Sequence, residues 1–190
     1  GDVADAVNKI SSATNIRGTG RRGAAPTVNE NGKGFDKVVN AVKELTELCQ
    51  ELDRRGHHVT VETNATIFAP VAAHLISMSP KLRNSNPDSD DRFFRRHERG
   101  RICPDVIRRF LNQHECQVKF VVDCPDDLEE IKALQADIPI PAETIVLMPQ
   151  GITPEELQQK QEWLVEICKT QGYRYSPRVH VDIWGNKRGV

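Results

Sequence analysis

Two short polar motifs stand directly after apolar runs, and they are where chemistry is to be sought. Ser79-Pro80-Lys81 follows Leu75-Ile76-Ser77-Met78, and Pro149-Gln150-Gly151 follows Thr144 to Met148. Together they offer a hydroxyl, a cation, an amide and a glycine backbone that a bulky ligand can approach closely. A third motif, Glu62-Thr63-Asn64, ends the run that begins at Val59. Its side chains serve either a ligand or a capped loop.

Other letter patterns carry less. Gly18-Thr19-Gly20-Arg21-Arg22-Gly23 matches GxGxxG. That pattern grips a pyrophosphate only between a strand and a helix, where backbone N–H groups and the helix terminus point at the phosphates. Ser11 to Asn15 is a poor strand and Pro26 follows too soon for an amphipathic helix, so the match is one of letters. The five cysteines form no CxxC pair, which argues against a disulfide framework or a zinc clip. Cys116 and Cys124 bracket Val118 to Val122, and a strand there would hold the sulfurs roughly 26 Å apart. No metal-ligating set is predicted, and the thiols read as small hydrophobes.

The motifs need elements to position them. Residues 1–34 are rich in Gly, Ser, Asn, Thr and Ala and are expected to be weakly ordered, with too few apolar positions to offset roughly 1–2 kcal/mol of backbone entropy per residue. From Phe35 the pattern changes. Val38, Val42, Leu45, Cys49 and Leu52 recur at helical spacing to about Arg55, with Gly56 as C-cap. Strands follow at 59–62 and 75–78, with a brief helical turn near Pro70 to Ala73 between them. A polar excursion, 82–100, precedes a helix opened by Pro104. Then come a strand at 117–123, a helix from Asp126, a strand at 144–148, a helix from Thr153 toward Gly172, and a last strand, Arg178 to Trp184. Strands alternating with helices predict a mainly parallel α/β sheet, with ligands at the carboxyl ends of the strands. Thr63, Ser79, Asp123, Gln150 and Trp184 are expected near one edge.

Composition sets the outer bounds. The 190 residues are 38% hydrophobic with net charge −1, enough for one core and without a global field favouring nucleic acid. Arg92 to Arg109, with Phe93 and Phe94 interleaved, is a local nucleic-acid candidate, but Asp88, Asp90, Asp91, Glu98 and Asp105 dilute it, and a solvated lid is the better account. No run reaches the length of a membrane span and residues 1–5 lack a signal-peptide pattern. A soluble, cytoplasmic protein is the expectation.

Gly56 to Thr66, Ile76 to Leu82, Val118 to Val122, Leu147 to Thr153 and Trp184 to Val190, in this order and spacing, resemble the 7-carboxy-7-deazaguanine synthases, over about residues 42–190. These are radical S-adenosylmethionine enzymes of queuosine and deazapurine biosynthesis that convert 6-carboxy-5,6,7,8-tetrahydropterin to 7-carboxy-7-deazaguanine. The resemblance implies an incomplete TIM-like barrel over 35–190, S-adenosylmethionine, a [4Fe–4S] cluster, magnesium, a pterin substrate and a homodimer. It places Ser79, Pro80, Lys81, Pro149, Gln150 and Gly151 against S-adenosylmethionine, with Glu62, Thr63 and Asn64 as substrate-side candidates.

The residues before about 42 depart from that family. Its cluster takes three closely spaced cysteines before the first helix, and here no cysteine precedes Cys49. The family's Gly-Gly-Glu-Pro motif has Gly23-Ala24-Ala25-Pro26 in its place. The barrel is therefore expected to be truncated at its N-terminal strands. Three readings follow: a synthase lacking its cluster-bearing part and inactive as it stands, a binding or scaffold protein derived from that family, or the nucleic-acid surface at Arg92–Arg109.

Overall fold

A computed structural model describes residues 33–187; the GxGxxG match and Gly23-Ala24-Ala25-Pro26 lie outside the described residues. The elements in order are α1 (Lys33–Arg54), β1 (Thr60–Thr63), β2 (Leu75–Met78), a 3-10 turn (Arg83–Ser85), α2 (Phe94–Gly100), α3 (Pro104–Gln113), β3 (Cys116–Val122), α4 (Asp126–Asp137), a second 3-10 turn (Ala142–Thr144), β4 (Ile145–Pro149), α5 (Pro154–Gln171), β5 (Arg174–Tyr175) and α6 (Val179–Trp184).

The five strands form one sheet in the order β1-β2-β3-β4-β5, with all four pairings parallel. Each strand lies beside the one before it, as crossover connections require. The sheet is open among the described residues, so the α/β class and parallel arrangement match expectation, while closure toward a barrel is not part of what is described.

Period-two alternation assigns the two faces of the sheet. Ile76, Met78, Val118, Phe120, Val122, Ile145 and Leu147 share one core with Cys49 of α1, Ile107 and Phe110 of α3, Leu128, Ile131 and Leu134 of α4, and Leu164 and Cys168 of α5. The opposite face takes Glu62, Ser77, Gln117, Lys119, Val121, Val146 and Met148, by register. A strand facing helices on one side only reads as strict alternation, as β3 does, buried at every second residue.

Chain ends of the helices follow the sequence. Gly56 adopts φ 78° and donates to the Asp53 carbonyl while His57 donates to that of Leu52, the paired bonds of a Schellman cap that glycine accommodates without strain. Thr153 caps α5 by accepting from the Glu156 N–H, and Gly172 ends it at φ 71°.

Two predicted elements are corrected. The helical turn near Pro70 to Ala73 is irregular backbone, with the Val71 N–H bonded to the Ala69 carbonyl. The predicted strand at Arg178 to Trp184 is the helix α6, and the fifth strand is instead Arg174–Tyr175. Its ladder ends because Ser176 gives the last bond, to the Leu147 carbonyl, and Pro177 has no N–H to continue. Trp184 is therefore not at the strand edge but on α6, 49% exposed.

Candidate functional site

Backbone bonds bring the Ser79-Pro80-Lys81 and Pro149-Gln150-Gly151 motifs to one edge. The Ser79 N–H donates to the Thr63 carbonyl at 2.7 Å and the Gln150 N–H to the Val122 carbonyl at 2.7 Å, each extending its ladder one residue past the strands. The loops after β2 and β4 therefore leave the sheet side by side, separated by the end of β3, about 10 Å apart at ordinary strand spacing. Thr63, Ser79, Asp123 and Gln150 share this carboxyl edge, as the strand directions predicted.

The motif side chains differ in what they have left to offer. Pro80, Pro149 and Gly151 are buried, whereas Lys81 and Gln150 are exposed. A Cβ on Gly151 would lie 2.8 Å from Leu157 Cδ2 and 3.1 Å from Glu156 Cβ, so this glycine is needed for α5 to pack against the loop. The Thr63 hydroxyl accepts from the Ala65 N–H and the Asn64 side chain from Thr66. Both are spent on a turn in which Ala65 takes φ 58°. Glu62 alone of that trio extends over the polar face, where Lys119 Nζ meets its carboxylate at 3.1 Å.

Three cations converge there. Lys81 is held below the ordinary lysine range, first by desolvation and then by the charges of Lys119 and Arg178, with Glu62 opposing. Arg178 Nη1 donates to the Gly151 carbonyl at 3.0 Å, so it ties the loop after β4 to the segment after β5, and its Nε is buried without a partner. Lys160 of α5 bridges Asp123 and the Gln150 carbonyl, both at 2.7 Å. Deeper on the same face, Gln117 donates to the Ser77 hydroxyl at 2.9 Å. Lys119, Lys160 and Arg178 were not singled out from sequence; the polar i, i+2 pair Gln117 and Lys119 inside an apolar strand was the available signal.

The excursion 82–103 folds back on this edge. Asn84 donates to the Val121 carbonyl and to Asp127, while Asp127, 6% exposed, also accepts from the N–H groups of Asp123 and Cys124. Arg101 is buried at 8% exposure between Glu98 and Glu130. Other guanidinium groups of the Arg92–Arg109 stretch are also engaged: Arg108 with Asp105 and Asp137, Arg109 over the Phe68 ring and Arg92 over Phe93.

Bonding from Arg101, above all, holds the Glu98 carboxyl at about 2, with Asn86 assisting. A carboxyl depressed from 4.5 contributes stability that is full above its unfolded value and is lost as pH falls toward 2. Denaturant titrations of the wild type and Glu98→Gln at pH 7, 5 and 3 are expected to show a stability difference that shrinks on acidification. A difference independent of pH would contradict the pairing.

The donor chemistry does not fit an iron–sulfur cluster. Cys49, Cys103, Cys116 and Cys168 sit on separate segments, and burial raises each thiol, Cys116 to about 11, the reverse of what a thiolate ligand needs. Among the described residues no group of three His, Cys, Asp or Glu side chains is placed to hold a metal ion. None of the described helices is long and apolar enough to cross a membrane.

No family model matches the chain. Among curated proteins it is similar to the 7-carboxy-7-deazaguanine synthase of Rhodopirellula baltica, 37% identical over 151 residues, covering 78% of this chain and 59% of that protein. The same-named protein of Halobacterium salinarum is 36% identical over 151 residues, 73% of this chain and 59% of its own. That of Pyrobaculum aerophilum matches over 71 residues at 37% identity. The chain thus spans under two thirds of the length of the relatives it matches.

Proposed function

Since this chain is a homologue of the 7-carboxy-7-deazaguanine synthases, we propose that residues 35–190 are the ligand-holding part of that enzyme's fold, a partial barrel. S-adenosylmethionine lies across Ser79-Pro80-Lys81 and Pro149-Gln150-Gly151. The carboxylated pterin, 6-carboxy-5,6,7,8-tetrahydropterin, sits on the polar face beside Glu62 and Lys119. The observation that supports this most is the convergence of the two loops at one carboxyl edge under three cations, Lys81, Lys119 and Arg178.

In this reading Gln150 and Ser79 supply directional hydrogen bonds, and the three cations receive the carboxylates that both ligands carry. Thr63 and Asn64 shape the turn beside the site. The cysteines of the described residues do not suit a cluster, so in this reading the segment does not generate a radical by itself and acts as a binding part. Pairing as a homodimer belongs to the same reading.

Titration calorimetry under iron-free conditions tests it. S-adenosylmethionine is expected to bind weakly, with Kd above about 10 μM, because contacts to part of a small ligand barely exceed the entropy of association. Ser79→Ala and Lys81→Ala should each weaken binding roughly tenfold, the loss of one hydrogen bond or charge contact. No heat up to millimolar ligand would overturn the site. Anaerobic iron–sulfur reconstitution yielding a stoichiometric [4Fe–4S] absorption spectrum, or turnover of the pterin under reducing conditions, would overturn the non-catalytic part.

A further inference from the structure

We infer that Arg101 is the positioning residue of the Ser79–Lys81 loop: it fixes the Lys81 main chain so that the Lys81 ammonium is held among the other cations of the carboxyl edge. The inference rests on the reading of that loop as a ligand site, and names a residue that none of the motifs contains.

Arg101 is the buried arginine of an otherwise exposed, arginine-rich segment, its side chain only 6% exposed. A buried guanidinium costs several kcal/mol unless every donor direction is satisfied. Here it is met from three separate segments. Nε and Nη2 take both oxygens of Glu98 at 2.7 and 2.8 Å, Nη1 takes Glu130 of α4, and Nη1 also donates to the Lys81 carbonyl at 3.0 Å. The Lys81 N–H in turn reaches the Arg101 carbonyl at 3.4 Å. One residue thus bonds the main chain of Lys81 on both sides, from a position twenty residues on.

Glu130 completes the clamp, because its other oxygen accepts from the Arg83 N–H at 2.9 Å. The chain is therefore pinned on both sides of Leu82, which is itself buried in the core at 2% exposure. Two carboxylates alone could be neutralised by any cation. Serving both Glu98 oxygens, Glu130 and the Lys81 carbonyl at once takes three nitrogens in a planar fork, which a lysine with its one nitrogen does not have.

The purpose of such rigidity is visible in what Lys81 faces. Its ammonium is partly desolvated and lies in the fields of Lys119 and Arg178, with Glu62 as the opposing charge. Like charges repel, and a free four-carbon side chain on a mobile loop would swing into water. Holding the backbone keeps the repulsion in place, and an anionic ligand group relieves it. The site is pre-charged by a residue that does not touch the ligand.

The experiment uses the full chain with ¹³C-labelled lysine, the Lys81 resonance assigned by its loss in Lys81→Arg, and follows its titration by NMR. Arg101→Lys and Arg101→Met are compared with wild type, alongside calorimetry with S-adenosylmethionine. The expected result is a Lys81 titration moved up toward the ordinary lysine range in both variants, with binding weakened roughly tenfold, while the Lys119 resonance moves less. A folded Arg101→Lys protein whose Lys81 titration is unchanged would overturn the inference and leave Arg101 a purely stabilising residue. Should both variants fail to fold, Glu130→Gln, which loosens the clamp while Glu98 still pairs with Arg101, is expected to move Lys81 in the same direction, and no movement there is equally decisive. If wild type shows no binding but the Lys81 titration moves, the positioning stands and the ligand assignment falls.

Discussion

Phe120→Ala is expected to remove about 3–5 kcal/mol from the folding free energy, a large part of the roughly 5–15 kcal/mol that holds a domain together. Phe120 is fully buried in the central strand, paired in register with Leu147. It packs in the core that receives α3, α4 and α5, so no single helix can collapse into the space it leaves. Urea unfolding should show a lower midpoint with an unchanged slope, since the surface exposed on unfolding is nearly the same. Phe120→Leu, which fills most of the volume, should lose about a third as much. Equal losses for the two variants would mean that the aromatic ring, not the cavity, sets the cost.

The second large effect is expected at Asp127. Its carboxylate gathers the Asp123 and Cys124 N–H groups and the Asn84 side chain at 2.7 to 3.2 Å, at the start of α4 where the helix dipole favours negative charge. Asp127→Ala takes the shared acceptor from three donors in a part-buried corner, where Asn84 keeps its bond to the Val121 carbonyl, and a stranded donor costs about 1–3 kcal/mol to the extent that water is kept from it. A net loss near 3 kcal/mol is expected, with Asp127→Asn losing less because an acceptor oxygen remains. Hydrogen exchange should find the Asp123 and Cys124 amides faster in the alanine variant. Unchanged exchange there would show that the donors are satisfied in another way.

Sequence reading reached the strands whose two faces differ in burial. Cys116 to Val122 alternates because one face packs against helices while the other stays half-exposed, and the alternation is printed in the residues themselves. The same logic failed at Val179-His180-Val181-Asp182-Ile183. Those residues alternate too, but in α6 only Val181 is buried, while Val179 and Ile183 stand 53% and 60% exposed. Alternation over five residues does not say whether a ladder partner is in reach, and Pro177 had already ended the ladder. That the loops after β2 and β4 reach one edge was legible because strand ends in parallel sheets share a direction.

Arg101, Lys119 and Asp127 were not legible as partners. Each owes its role to a group at least 20 residues away, except for the helix-start bonds of Asp127 and the pairing of Arg101 with Glu98, and local spacing carries no trace of the distant partners. Arg101 looked like one more solvated arginine. What distinguishes it is burial, which depends on where Glu130 arrives from the far side of β3. Gly151 reads from sequence as room for a ligand, and a further constraint on it, Leu157, lies one turn into the next helix, where spacing gives no sign of it.

The strictly sequential order of the strands has a consequence for synthesis of the protein. As the chain leaves the ribosome, every strand from β2 onward finds its sheet neighbour already emerged, so none must be threaded between two earlier ones. The demanding step is the arrival of β3, because the connection across 79–115 is the longest between neighbouring strands and closing it costs the most chain entropy. The contacts of Asn84 with Asp127 and of Arg101 with Glu130 lie within or just beyond that span. The clamp over the carboxyl edge therefore closes only after α4 has formed, and the β4 and α5 units can then dock on a template whose edge is already set.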